Sequence, residues 1–330
     1  MNTGKLTLQD LSRMLERYQG AKRSEVLLAG APGEDASYLS VGGKTLVVST
    51  DPVTAAESDL GTIAFHINLN DIASTGAEGL GVLVTILMPP GTLPEVIDQI
   101  MGELNELCIQ HRIQILGGHT EVTDAVNRPV VSVTALGIMD QGDEIYSADM
   151  QPGDSLVVSK HLGIEGSMIL ADQLGAELKE LLTETELAEV KEFKKFLSVI
   201  PEGEVGRDLK VHSMHDITEG GILGAVYEVA KASGVGCILD ESSLPFMSST
   251  LKLASHFGLD RTRLISSGSM LFATDDPARL VAALARQGVS AAVVGTVTSK
   301  EEYLLKMETG DVIPFDPPQR DEIYRIFKEK

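Results

Sequence analysis

The chain has 330 residues, of which 43% are hydrophobic and 23% are charged. These proportions are ordinary for a soluble globular protein, and the length favours two domains over one. The formal net charge of −21 disfavours a protein that binds nucleic acid by neutralising its phosphates. An acidic protein can still bind a nucleotide, because magnesium bridges carboxylates and phosphates.

The sequence contains no segment typical of secretion or of a membrane protein. Its first residues lack the apolar core of a signal peptide, and no run approaches the roughly 20 apolar residues needed to span a bilayer. The two cysteines, Cys108 and Cys237, lie on apolar segments and have no metal-ligand spacing, so both are predicted to be buried thiols. We therefore expect a reduced, cytoplasmic protein that does not enter a membrane.

The first half of the chain alternates helical and strand patterns. Its predicted elements, in chain order, are helix 6–18, strand 44–50, buried helix 62–75, strand 81–88, helix 94–111, strand 113–116 and strand 129–139. Asp51 is predicted to follow the end of strand 44–50. Pro94 suits the first turn of the helix that it begins.

The second half repeats this mixture after a predicted turn at residues 151–154. Its predicted elements are strand 156–159, helix 164–174, helical segments within 176–197, helix 220–233, strands 236–239 and 270–274, helix 277–287 and strand 291–298. The last fifteen or so residues are interpreted as an appended tail. We expect a mixed α/β (α+β) protein with domains at 1–150 and 151–330.

Polar residues interrupt the apolar run that is predicted to form the buried helix. Asn68 and Asp71 are three residues apart and share one helix face with each other, and Asn70 lies between them. Buried polar groups need hydrogen-bonding partners or a ligand, so a purely structural network is the alternative reading. Asp71 is the first candidate for a magnesium ligand, and Asp51 is another.

Acids and glycines form two further motifs in the first half. Glu34 and Asp35 follow Gly33 in a predicted loop, where acidic residues are usually solvated. Residues 117–121 read Gly-Gly-His-Thr-Glu and directly follow a predicted strand. Two glycines let backbone N–H groups approach a phosphate, but for a bare glycine pair a tight turn is the simpler explanation. The motif is not a Walker A loop, because no Gly-Lys-Ser/Thr follows it.

Residues 215–221 read His-Asp-Ile-Thr-Glu-Gly-Gly and precede an apolar helix. A helix N-terminus with glycines is favourable for anions, which suggests a second phosphate-binding segment. Capping of the helix by Thr218 explains the same residues equally well. Both interpretations stay open when the motif is taken alone.

Taken in chain order, these motifs resemble those of the aminoimidazole-ribonucleotide (AIR) synthetase superfamily, the PurM-like proteins. Its members include formylglycinamidine synthetase, thiamine-monophosphate kinase, selenophosphate synthetase and the hydrogenase-maturation protein HypE. The resemblance extends from about residue 33 to residue 298. The segment 215–221 is most similar to the Asp-x-Thr-x-Gly-Gly pattern of HypE, whereas residues 68–73 suit HypE and the thiamine-phosphate kinases alike.

The resemblance implies a two-domain protomer that forms a homodimer through a barrel-like interface of its N-terminal sheet. It also implies ATP in a cleft between sheet and helices, with Mg²⁺ held by acidic loops. The metal candidates are then Glu34, Asp35, Asp51 and Asp71, and the catalytic candidates are Asp71, Asp216 and His119. The cofactor-binding candidates are Asp51, Asn68, Asn70, Gly117, Gly118, Thr120, Glu121, Thr218, Gly220 and Gly221.

The resemblance leads to one function and two alternatives. The chain is expected to be an ATP- and Mg²⁺-dependent, HypE-like enzyme that activates an amide-type (carboxamide) or other small acceptor. HypE ends in a cysteine that carries the reacting group, whereas this chain ends in Lys330, so the standard reaction is not expected in cis. His119 stands where kinase members carry aspartate. The alternatives are a non-catalytic nucleotide-binding maturation partner or sensor, and a small-molecule kinase akin to thiamine-monophosphate kinase.

Overall fold

The computed structural model describes residues 6, 8–54, 58–316 and 320–327. Its first half contains helices α1 (Leu8–Arg17), α2 (Leu60–Ser74) and α3 (Pro94–His111). The strands of this half are β1 (Val26–Leu28), β2 (Ser37–Val41), β3 (Lys44–Val53), β4 (Glu78–Met88), β5 (Gln114–Val122) and β6 (Val130–Asp140). These strands form one six-stranded sheet in the order β1-β2-β3-β6-β4-β5, in which only the β4–β5 pair is parallel.

The second half contains a seven-stranded sheet in the order β13-β12-β9-β11-β7-β10-β8. Its strands are β7 (Ser155–Ser159), β8 (Ser213–Ile217), β9 (Gly236–Asp240), β10 (Ser269–Thr274), β11 (Ala291–Thr298), β12 (Tyr303–Lys306) and β13 (Val312–Pro314). Its helices are α4 (Ile164–Leu174), α5 (Leu178–Leu181), α6 (Glu184–Glu192), α7 (Ile200–Leu209), α8 (Gly221–Ala232), α9 (Ser248–Phe257) and α10 (Pro277–Arg286). Two mixed sheets with helices confirm the predicted α/β class.

Helix α2 lies between the two halves, and this position explains its composition. It packs against β3, β6 and α3 of its own half and against α7 and β8 of the second half. A helix that is covered on all sides needs apolar residues around its whole circumference. Its apolar side chains accordingly include Ala64, Phe65, Leu69 and Ile72, each at most 1% exposed. The polar residues of α2 are therefore buried as well.

Strand β6 is the clearest case of alternating burial. Its residues alternate between half-buried and fully buried positions from Val130 to Met139. Strand side chains point to opposite faces in turn, so one face of the sheet carries the core. Val131, Val133 and Ala135 lie on that face and are completely buried.

Several predicted boundaries differ from the structure. Strand β3 continues through Asp51 to Val53, because β6 pairs with it along its whole length. Asp51 therefore lies within a strand and not beyond its end. The prediction of an appended tail was also wrong, since Phe315 and Ile323 are buried in the core clusters of the second half. All strands up to Asp140 belong to the first sheet and all strands from Ser155 to the second, while the domain boundary near residue 150 stays a prediction.

Candidate functional site

A cavity of about 570 Å³ lies between the two halves of the chain. The loop before β2, strand β3 and helix α2 provide its wall on the N-terminal side. Strand β8, residues 218–220 before α8, Glu228 of α8 and residues 320 and 321 provide the opposite wall. The cavity therefore requires both halves of the chain.

Three carboxylates converge in this cavity. Asp35 comes from the loop before β2, Asp71 from α2 and Asp216 from β8, and one oxygen of each lies within 4.8 Å of the others. Asp71 is 6% exposed and Asp216 is 1% exposed. Close, buried like charges repel one another, so such a cluster is costly for the fold unless a cation compensates it.

Neighbouring polar groups orient two of these acids. The His215 Nδ1 atom lies 2.9 Å from the Asp35 Oδ2 atom and forms an ion pair with it. Burial acts to lower the pKa of His215, but the charges of Asp35 and Asp216 outweigh it and raise this pKa to about 9. The Ser49 hydroxyl donates a hydrogen bond to Asp71 Oδ2. Burial, together with the neighbouring acids, raises the pKa of Asp71 well above its ordinary value.

The donor set of the three acids suits magnesium. Mg²⁺ prefers oxygen ligands at about 2.1 Å, which places opposite ligands about 4.2 Å apart, and it usually keeps several waters. The carboxylate oxygens of Asp35, Asp71 and Asp216 lie within 4.8 Å of one another, so a slight contraction or bridging waters would accommodate the ion. A thiol or a second imidazole, which would favour zinc, is absent from the described lining of the cavity.

The other predicted metal ligands, Glu34 and Asp51, lie near the three acids but outside the cluster. Both oxygens of Glu34 accept backbone hydrogen bonds, from Ser147 N at 3.1 Å and from Ala148 N at 2.9 Å. Asp51 lines the cavity from β3 and contributes to the raised pKa of Asp71. Among the described residues, Asp216 takes the place in the cluster that the sequence assigned to Glu34 or Asp51.

Asn68 and Asn70 are fully buried and are outside the described lining of the cavity. The amide of Asn68 accepts a hydrogen bond from Asp51 N at 2.7 Å and donates to Asp51 O at 3.2 Å. The amide of Asn70 accepts from Val199 N at 2.9 Å and donates to Leu197 O at 2.8 Å. Both asparagines therefore make structural hydrogen bonds to backbone, and their assignment to cofactor binding stays a prediction.

Residues 117–121 form part of β5, the exposed edge strand of the first sheet, and not a loop after a strand. Gly117 and Gly118 have φ angles of 143° and 146°, and a Cβ atom on Gly118 would lie 1.8 Å from the Val84 carbonyl oxygen. The glycine therefore lets β5 approach β4 closely. His119, Thr120 and Glu121 are exposed, and His119 Nε2 lies 3.3 Å from Glu121 Oε2. None of these five residues lines the cavity within this chain.

The segment 215–221 combines a strand end with a helix start. His215 and Asp216 belong to β8, while Thr218 and Gly220 line the cavity after it. Gly220 and not Thr218 is the N-cap of α8, so the structure does not support capping by Thr218, one of the two interpretations of this motif. Gly221 has a φ angle of 60°, and a Cβ atom there would lie 2.6 Å from the Thr262 carbonyl oxygen. The second glycine thus permits a close backbone contact.

Several lining residues were missed by the sequence-based assignment. Ser49, within the predicted strand 44–50, and His215, within the segment 215–221, received no role, although each contacts one of the acids. Arg320 and Asp321 were assigned to the tail, yet both line the cavity. A hydroxyl or imidazole group close to an acid in the sequence could have indicated Ser49 and His215, whereas no local pattern indicates Arg320 and Asp321.

Comparison with known proteins identifies the fold. The family model described as AIR synthase related protein, N-terminal domain, matches residues 33–139. The model for the C-terminal domain of the same family matches residues 151–307. The chain belongs to the AIR synthase-related family. Its fold is accordingly the predicted two-domain PurM-like fold.

Among curated relatives of this AIR synthase-related chain, hydrogenase-maturation proteins are prominent. A putative hydrogenase expression/formation protein from Methanocaldococcus jannaschii is 26% identical over 300 residues, which cover 85% of this chain and 87% of the relative. The carbamoyl dehydratase HypE from Escherichia coli strain K12 is 26% identical over 306 residues, which cover 88% of each chain. The chain is therefore similar to HypE at low identity.

Solved structures agree on the fold. A HypE structure in complex with ATP has a TM-score of 0.70 and 21% identity, and the match covers 97% of this chain and 94% of that one. A ThiL structure complexed with AMPPCP and TMP has a TM-score of 0.72 and 17% identity, with 95% of each chain covered. A HypE–HypF complex has a TM-score of 0.73 and 21% identity, with 86% and 93% covered. At these identities the likeness establishes the fold alone.

No helix among the described residues is long and apolar enough to cross a membrane.

Proposed function

We propose that the chain is an ATP- and Mg²⁺-dependent enzyme that phosphorylates, and so activates, an amide-type oxygen of a small acceptor. The observation that carries the proposal is the cluster of Asp35, Asp71 and Asp216 in the wall of the cavity. Relatives named carbamoyl dehydratase and a HypE structure in complex with ATP support the same chemistry. Phosphoryl transfer needs positioning and charge neutralisation more than a covalent protein intermediate, which fits a site built from carboxylates.

The acids of the cavity divide into metal ligands and surrounding charges in the proposed mechanism. Asp35, Asp71 and Asp216 would hold the metal, with His215 orienting Asp35 and Ser49 orienting Asp71. Bound Mg²⁺ would supply charge neutralisation and orientation of the phosphate oxygens. In this proposal Asp71 and Asp216 are the catalytic residues of this chain, while Glu34 and Asp51 surround them with further negative charge.

The two asparagines of α2 fit best as positioning residues. Asn68 joins α2 to β3 beside Asp51, and Asn70 joins α2 to residues 197–199 of the second half. Because Asp71 directly follows Asn70 on the same helix, these hydrogen bonds hold its carboxylate against Asp216. We propose that they act on the cofactor only through this geometry.

Titration calorimetry with ATP in the presence of Mg²⁺ tests the proposal. The wild-type chain should bind MgATP. Asp71→Asn should weaken this binding at least tenfold, or by about 1.4 kcal/mol, because the variant lacks one of the carboxylates proposed to hold the metal. Asp98→Asn, on the exposed face of α3, is the matched control and should leave the dissociation constant unchanged. Unchanged affinity in Asp71→Asn would sink the assignment.

Catalysis separates this proposal from its alternatives. Release of ADP that depends on a carboxamide-bearing acceptor favours the activating enzyme. Phosphorylation of thiamine monophosphate favours a kinase, for which the likeness to ThiL gives the fold alone. Binding of MgATP without turnover on either acceptor favours a nucleotide-binding maturation partner or sensor, a role suggested by the HypE–HypF complex.

We also propose a homodimer through the first sheet. The edge strand β5 and the neighbouring strand β4 expose Leu80, Leu83 and Leu116, each between 42% and 47%. Exposed, contiguous apolar side chains on an unpaired sheet edge are typical of an interface. A second copy of the chain covering this surface would also cover residues 117–121. Sedimentation velocity should give the mass of two chains, and a monomer at micromolar concentration would contradict the dimer.

A further inference from the structure

The lining of the cavity is predominantly negative. Carboxylates from both walls line it, including Glu219 and Asp321 in addition to the three clustered acids. Among the described lining residues, Arg320 is the only arginine or lysine. An anionic ligand entering this cavity meets a repulsive field that must be compensated by cations. In the described lining, the other positive side chain is His215, which is already paired with Asp35, so Arg320 is the arginine or lysine that can offset the charge of an anionic ligand.

The segment that carries Arg320 is held against the motif at residues 215–221. Asp321 is 3% exposed, and its Oδ2 atom accepts a hydrogen bond from Gly220 N at 2.6 Å. Its Oδ1 atom accepts from Ile323 N at 2.8 Å, and the Tyr324 hydroxyl donates to Glu219 Oε1 at 2.9 Å. Two contacts thus join residues 320–327 to the residues that immediately precede α8.

The orientation of the guanidinium is also restrained. The Arg320 Cζ atom lies 5.1 Å from the centroid of the Tyr324 ring, which is a cation–π contact. Stacking on an aromatic ring restricts the orientation of the planar guanidinium. Ile323, which is 2% exposed, fixes the same turn in the core. The arginine is therefore placed by a built structure and not by a freely moving side chain.

We propose that Arg320 binds an anionic group, a phosphate or carboxylate oxygen, of the ligand that occupies this cavity. The inference rests on the proposed function, because it assigns a residue to the same site. Arginine offers two parallel N–H donors that match the geometry of such groups. The residues that join Arg320 to the glycine motif would then position a ligand-binding side chain, and the C-terminal segment would be part of the binding site.

A structural role for Arg320 makes different predictions. If the arginine only offsets the charges of Glu219 and Asp321, its loss lowers the melting temperature and weakens all ligands of the cavity equally. If it binds an anionic group, its loss weakens ligands that carry the group and spares those that lack it. The two roles are therefore distinguished by comparing the loss of affinity for ligands with and without the anionic group.

Calorimetry on the full chain with two ligands, a nucleotide analogue and a nucleoside, is the first test of the proposal. If the anionic group belongs to the nucleotide, Arg320→Gln should weaken binding of a non-hydrolysable MgATP analogue at least tenfold and leave the affinity for adenosine unchanged, and Arg320→Lys should retain part of the analogue affinity. Arg325→Gln is the matched control, because this exposed arginine of the same turn is paired with Glu322 and lies outside the cavity lining. It should bind all ligands like the wild type.

A second titration identifies which ligand carries the group. Inorganic phosphate is titrated into protein saturated with the MgATP analogue. Loss of phosphate binding in Arg320→Gln with unchanged analogue affinity assigns the arginine to the acceptor, and the reverse result assigns it to the nucleotide. Equal affinities of wild type and Arg320→Gln in both titrations would overturn the inference, as would an equal loss for adenosine. Failure of the wild type to bind the MgATP analogue would instead overturn the proposed function itself.

Discussion

Asn70 and Asp71 are adjacent in the chain and on the same buried helix, but their surroundings differ completely. The Asn70 amide donates one hydrogen bond to the backbone of residues 197–199 and accepts another from it. Asp71 faces a cavity in which the nearest charged groups are other carboxylates. Burial alone therefore does not separate a structural polar residue from a functional one. The difference lies in whether the partners satisfy the group or repel it.

The surroundings of Asn70 form a polar clamp, which we define as Asn70, Lys160, Glu202 and residues 196–199. Lys160 donates to Phe196 O at 2.9 Å and lies 2.8 Å from Glu202 Oε1. Burial lowers the pKa of Lys160, while the Glu202 carboxylate opposes this effect. Residues 196–199 are therefore bonded to Asn70 and to Lys160, and the charge of Lys160 attracts that of Glu202.

Around Asp71 the neighbouring charges repel one another instead of attracting. Three carboxylates share a small volume, and His215 and Ser49 are the nearest compensating groups described for them. Local arrangements that cost stability and persist are concentrated at functional sites. The clamp therefore stabilises the fold, whereas the cavity is maintained at the expense of stability.

The largest expected effect breaks the clamp at Asn70. In Asn70→Ala the Val199 N–H and the Leu197 carbonyl lose their partner in a buried place, and each orphaned group costs about 1–3 kcal/mol. We expect the free energy of unfolding to fall by about 2–4 kcal/mol in urea denaturation. Asn105→Ala on the exposed face of α3 is the control and should change stability by less than about 0.5 kcal/mol. A loss no larger than that of the control would mean that the clamp does not stabilise the fold.

Much of the fold follows from local patterns. Helix α3 was predicted at its observed bounds, because Pro94 begins it and its apolar residues recur at helical spacing. Strand β8 was missed, since His215 and Asp216 interrupt the apolar pattern of a short strand that is buried on both faces. The burial of β8 depends on packing against α2 and α8, which local sequence does not encode.

The candidate site was predicted only in part, for a similar reason. Asp35, Asp71 and Asp216 were all among the proposed residues, but their convergence arises from three elements that lie far apart in the chain. The resemblance to a family supplied that convergence, and no local spacing did. Residues 117–121 lie outside the cavity of a single chain, and Arg320 enters it from a segment that had been interpreted as a tail. Long-range packing determines both placements.

The smallest expected effect concerns Asp71 and has the opposite sign. Asp71→Asn keeps the shape of the side chain and can still accept the hydrogen bond from Ser49, but it removes one buried charge from the cluster. In metal-free buffer we expect the variant to be about 1 kcal/mol more stable than the wild type, because burial and the neighbouring acids raise the pKa of Asp71 and make its ionisation costly, whereas the amide does not ionise. Asp98→Asn is again the exposed control.

Saturating MgATP should then make the wild type the more stable protein, because a ligand at 100 times its dissociation constant adds about 2.7 kcal/mol to the wild type and less to a variant that binds it weakly. Loss of stability in metal-free Asp71→Asn, comparable to that of Asn70→Ala, would show that the cavity and the clamp do not differ in the way proposed.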